Sequence, residues 1–89
     1  MLEYVIEGIH RRGIEKQGGK SLKWMCEGYR GVPDRIDLLP IKGKRHKEIV
    51  AKYIQFTELK TAKGRLSKQQ ELRHSELRNL GFTVNVKRG

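Results

Sequence analysis

Asp34, Glu58 and Lys60 are the residues of this chain whose types and spacing suit chemistry. Asp34 follows Gly31-Val32-Pro33, a turn entering an extended run. Glu58, Leu59 and Lys60 close the β-rich run 49–60. Side chains on a strand alternate faces, so Glu58 and Lys60 point one way and Leu59 the other. Two carboxylates can hold a hard divalent cation such as Mg2+ or Mn2+ through oxygen, with waters and a substrate phosphate completing its shell. A metal held there would lower the pKa of a bound water and stabilise charge on the phosphate oxygens. Lys60 could orient that water or neutralise the developing charge. The Leu59 carbonyl can also face the metal, and Gln70, early in the next helix, can hold the water or a phosphate.

Each residue also has a plainer role. Asp34 after a proline can simply initiate a turn. Glu58 and Lys60 can be an exposed pair on a strand, and Gln70 a helix cap. Glu3 and Glu7 can be ordinary surface charge on a helix. The Glu-x-Lys triplet alone is a weak signal. More informative is the order Pro-Asp, then Glu-x-Lys ending an apolar strand, then a helix with an early glutamine.

These residues must be positioned by a small set of elements. Leu2, Val5, Ile6 and Ile9 recur at helical spacing and predict a helix over 2–16. Glu3, Glu7 and His10 share a neighbouring face. Gln17-Gly18-Gly19 ends that helix. Residues 21–28 and 32–39 read as strands, the second with Pro33 at its start. The segment 41–48 is basic and contains glycine, most simply a hairpin loop, and 49–60 reads as the third strand. Ser67 with Gln70 makes a capping box for a helix over 67–80. Gly81 ends it, and 82–87 alternates as a last strand. The expected fold is a small α/β unit in one domain, with a mixed sheet and element order α-β-β-β-α-β.

The charge balance narrows the partners. The chain of 89 residues carries 20 Lys+Arg against 10 Asp+Glu, a formal charge of +10. Such a surface attracts polyanions, nucleic acid foremost. An acidic membrane surface is the rival, but no long basic amphipathic helix supports it. No run approaches the roughly 20 apolar residues of a spanning helix. No signal pattern opens the chain, and Cys26 is the only cysteine, so a reducing cytoplasmic setting is expected. Cys26 itself is expected to pack as a small hydrophobe, and Trp24 to pack beside Leu22. His10, His46 and His74 lack ligand-like spacing, which argues against zinc.

Taken together, Gly31-Val32-Pro33-Asp34, Glu58-Leu59-Lys60, Leu66-Ser67-x-x-Gln70 and Leu80-Gly81-Phe82 resemble the virus-type replication-repair nuclease (VRR-Nuc) family of the PD-(D/E)xK superfamily. The resemblance covers nearly the whole chain. It implies a restriction-endonuclease-like core and a phosphodiesterase that uses Mg2+ or Mn2+ on DNA. It assigns metal binding to Asp34 and Glu58, catalysis to Lys60 and a supporting role to Gln70. It also implies a glutamate of the first helix at the metal, with Glu3 the better fit by distance to Gly18-Gly19 and Glu7 the alternative. Short members of this kind resemble viral or prophage proteins and are associated with homodimers that cleave branched DNA such as four-way (Holliday) junctions. Arg30, Lys42, Lys44, Arg45, Lys47, Lys63 and Arg65 would then meet the phosphate backbone, positioning DNA without reading sequence. The competing expectation is a basic module that binds nucleic acid without cutting it. A protein adaptor is a third and weaker one.

Overall fold

A computed structural model describes residues 1–89. It contains three helices and four strands, in two compact units, Met1–Pro40 and Ile41–Gly89. No helix is long and apolar enough to cross a membrane.

The first unit is helix α1 (Glu3–Lys16) with strands β1 (Lys20–Lys23) and β2 (Arg35–Leu38). β1 and β2 pair antiparallel, with Ser21 opposite Asp37 and Leu22 opposite Ile36. The Trp24 N–H donates to the Asp34 carbonyl at 2.9 Å, carrying the pairing just past the strands. α1 ends where the Gly18 and Gly19 N–H groups donate to the Glu15 and Ile14 carbonyls. Gly19 then passes so close to β2 that a Cβ there would lie 2.5 Å from the Leu38 carbonyl oxygen, which leaves room only for glycine. Ile14 and Leu38 are the buried apolar residues of this unit.

The second unit is helix α2 (Lys44–Ala51), strand β3 (Gln55–Lys60), helix α3 (Lys68–Asn79) and strand β4 (Thr83–Arg88). β3 and β4 are parallel, so α3 is the crossover that such a pair requires. The expected helix and cap are present. Ser67 Oγ accepts from the Gln70 N–H and Gln70 Oε1 accepts from the Ser67 N–H, both at 3.0 Å. Gly81 leaves α3 at φ 102°, a left-handed conformation glycine adopts at no steric cost. Phe82 and Val84 are buried, and Phe82 meets Phe56 edge-to-face at 5.9 Å.

Several expectations are corrected. The element order is α-β-β-α-β-α-β, and in place of one mixed sheet there are two two-stranded sheets, one antiparallel and one parallel. The segment expected to be a hairpin loop and the start of a strand is α2. Its Lys, Arg, Glu and Ala content favours helix, and this outweighs the β-branched pair Ile49-Val50. β1 and β2 are each shorter than expected, so Asp34 lies at a bend before β2 and not on the strand face of Ile36 and Leu38. Pro33 has no N–H to extend the ladder, which accounts for the late start. Cys26 is exposed and Trp24 is 38% exposed, since both lie beyond the end of β1. The stripe Leu2, Ile6 and Ile9 of α1 is more than half exposed, while Glu7, His10 and Ile14 make the helix's contacts within the first unit.

Candidate functional site

In the second unit the site is built on β3. Burial alternates along it, with Phe56, Glu58 and Lys60 half-buried and Gln55, Thr57 and Leu59 exposed. Glu58 and Lys60 therefore share a side, as the two-residue period requires. The Gly89 N–H donates to the Lys60 carbonyl at 3.0 Å, so residue 60 turns its carbonyl toward β4. Backbone groups alternate in direction along a parallel ladder, so the Leu59 carbonyl is aimed off the opposite edge of β3. That edge has no strand beside it.

α3 supplies the other wall. A cavity of about 420 Å3 is lined by Glu58, Gln70, Arg73 and His74 over an apolar floor that includes Phe56 and Leu77. Gln70 spends its side-chain oxygen on the capping box, which leaves the amide NH2 as its free face. That group donates and so suits a water or phosphate oxygen, not a cation. His74, one turn further on, is 6% exposed and its Nε2 lies 3.2 Å from Glu58 Oε1. Sequence reasoning missed this residue. The readable signal was spacing, because Gln70 and His74 stand at i and i+4 and so face the same way.

The oxygen donors of β3 fit a hard cation. Glu58 keeps Oε2 uncommitted, and the Leu59 carbonyl is directed off the open edge. Neither unit by itself gathers three or more His, Cys, Asp or Glu into one group.

In the first unit Asp34 is exposed, and its carboxylate has no hydrogen bond or ion pair. Glu3 opens α1, exposed and likewise unpaired. Glu7 Oε1 accepts from Arg35 at 3.2 Å. Of the two helix glutamates, then, Glu3 is free and Glu7 is tied to β2.

Arg35 belongs to a polar network. Its Nε donates to Ser21 Oγ at 2.9 Å, and the Ser21 hydroxyl donates to Asp37 Oδ1 at 2.7 Å. Asp37 Oδ2 lies 2.8 Å from His10 Nε2. A serine, an aspartate and a histidine meet here, but His10 bonds the aspartate and not the serine. Ser21 therefore has no base to activate it as a nucleophile. Its role is to tie the two strands together, with His10 and Glu7 fastening α1 to them.

The Ser21 hydroxyl, with His10 and Arg35, holds the Asp37 carboxyl below its ordinary value near 3.8. A carboxylate whose pKa is depressed by folding stabilises the fold above its unfolded value and loses that contribution as pH falls through its folded value. Wild type should therefore lose some thermal stability as pH falls below about 4, and Asp37→Asn should show a shallower acid decline from a lower starting point. Thermal melts by circular dichroism between pH 7 and pH 2 measure this, and parallel curves for the two proteins would refute it.

The basic candidates are all exposed. Lys44, Arg45 and Lys47 lie on α2 with Lys42 just before it, Arg30 lies in the β1–β2 connection, and Lys63 and Arg65 lie between β3 and α3. Two further cations, Lys68 and Arg88, join Arg65 around a second concavity, where the Arg88 guanidinium donates to the Gly64 carbonyl. Comparison with known protein families, curated proteins and solved structures returned no match.

Proposed function

We propose that this chain is a Mg2+- or Mn2+-dependent endodeoxyribonuclease of the PD-(D/E)xK kind, acting as a homodimer on branched DNA such as four-way junctions. The observation that carries the reading is the arrangement on β3. Glu58 and Lys60 share one side, the Leu59 carbonyl leaves by the open edge, and Gln70 presents its amide donors beside Glu58.

In this reading Asp34, Glu58 and the Leu59 carbonyl hold the cation, with Glu3 or Glu7 completing its shell. When bound, the cation would supply an acidified water and charge stabilisation at the scissile phosphate. Lys60 neutralises charge that builds on the phosphate oxygens, and its ammonium has no competing ion pair. Gln70 donates to the attacking water or to a phosphate oxygen. The basic residues of α2 and of the 61–67 connection hold the backbone by charge.

A basic module that binds without cutting is the second reading, favoured by α2, a cationic helix with no buried residue. Labelled four-way junction separates the two. The nuclease reading expects cleavage with Mg2+ or Mn2+ that a chelator abolishes. Salt-sensitive binding with no metal-dependent cleavage would leave only the binding module.

A further inference from the structure

The His74 imidazole is the least exposed polar side chain of the second unit, at 6%, and its one hydrogen bond is to Glu58. Glu58 is ringed by groups that offer it nothing comparable. Gln70 spends its oxygen on Ser67 and its free amide NH2 makes no hydrogen bond to Glu58, and Arg73 pairs with Glu76. For Nε2 to bond an ionised carboxylate it must carry a proton. Nδ1 is buried with no partner. Nε2 is therefore the ring nitrogen placed to donate to Glu58.

Burying a histidine with one nitrogen orphaned is costly, and packing alone does not account for the choice, since leucine would fill the same space with no polar atom to satisfy. What histidine adds is a donor aimed at one oxygen of Glu58 from a rigid position. α3 is pinned at its start by the Ser67–Gln70 capping box, and His74 sits one turn beyond that anchor. Partners of this kind fix the orientation of metal-binding carboxylates, and their loss typically weakens metal affinity about 10–100-fold.

We infer that His74 is a positioning residue, which holds Glu58 Oε1 so that Oε2 is presented to the divalent cation of the proposed site. The inference rests on the nuclease reading, and its test separates the two. Binding of Mn2+ alone is measured by calorimetry on the full chain and three variants. His74→Leu keeps the bulk and removes the donor. His74→Gln places an amide N–H where the imidazole Nε2 stands. Glu58→Ala removes the ligand itself. Affinity should fall about 10–100-fold in His74→Leu, stay within about threefold of wild type in His74→Gln, and vanish in Glu58→Ala.

If His74→Leu binds Mn2+ like wild type while Glu58→Ala does not, His74 has no positioning role and the nuclease reading stands. If wild type binds no Mn2+, the nuclease reading fails and takes the inference with it. Should His74→Leu not fold, the wild-type His74 ring 15N resonances decide. They should report a proton on Nε2 and shift when Mg2+ is added. Resonances unmoved by saturating Mg2+ overturn the inference, because a histidine that merely packs would not respond.

Discussion

If the chain is the proposed nuclease, Lys60→Ala should cut the cleavage rate on four-way junction by about 100–1000-fold while leaving DNA affinity near that of wild type. Lys60 is a single cation among 20 Lys+Arg, so its share of backbone attraction is small. Its place beside Glu58 is what gives it leverage, since charge gathers on the phosphate oxygens only as the bond breaks. An interaction made in the transition state alone lowers kcat and kcat/KM together. Single-turnover cleavage with a parallel gel-shift titration separates the two quantities. A rate within a few-fold of wild type would remove Lys60 from the chemistry. A matched loss of binding would make it one more phosphate contact.

Leu38→Ala should destabilise the protein by about 2–5 kcal/mol. Leu38 is the least exposed apolar residue of the chain, at 3%, and only Ile14, Phe82 and Val84 accompany it below a tenth exposed. A domain of this size has a total stability of about 5–15 kcal/mol, so the loss takes a large share of it. At roughly 4–8 °C per kcal/mol the midpoint should drop by about 10 °C or more. Leu59→Ala is the internal comparison. Leu59 is 73% exposed, and truncating it should change stability by no more than about 0.5 kcal/mol. Urea titrations of the three proteins measure both effects, and equal midpoints for Leu38→Ala and wild type would contradict the burial described for this strand.

The parts of the fold that were legible in the sequence are those set by local chemistry. The Ser67–Gln70 capping box and the glycine after α3 are written in a few adjacent residues, and both are present. The alternation of β3 placed Glu58 and Lys60 on one side because the strand period allows nothing else. The stretch that reads as a loop over 41–48 and a strand from 49 folds as α2 before β3, because its β-branched residues compete with a helix-favouring run and no single residue decides between them. The fastening of α1 was hidden for a different reason. Its apolar stripe is the obvious face, yet Glu7 and His10 make the bonds to the strands, and those depend on Arg35, Ser21 and Asp37 arriving from distant parts of the chain. His74 was hidden in the same way, since its partner is sixteen residues away and its burial is a product of the β3–α3–β4 packing.

The proposed function requires Asp34 and Glu58 to act on one divalent cation. Titration of the full chain with Mn2+ by calorimetry, beside Asp34→Ala and Glu58→Ala, tests it most directly. Wild type should show saturable binding that either substitution abolishes. Binding that survives Asp34→Ala unchanged, or no binding by wild type at all, would contradict it.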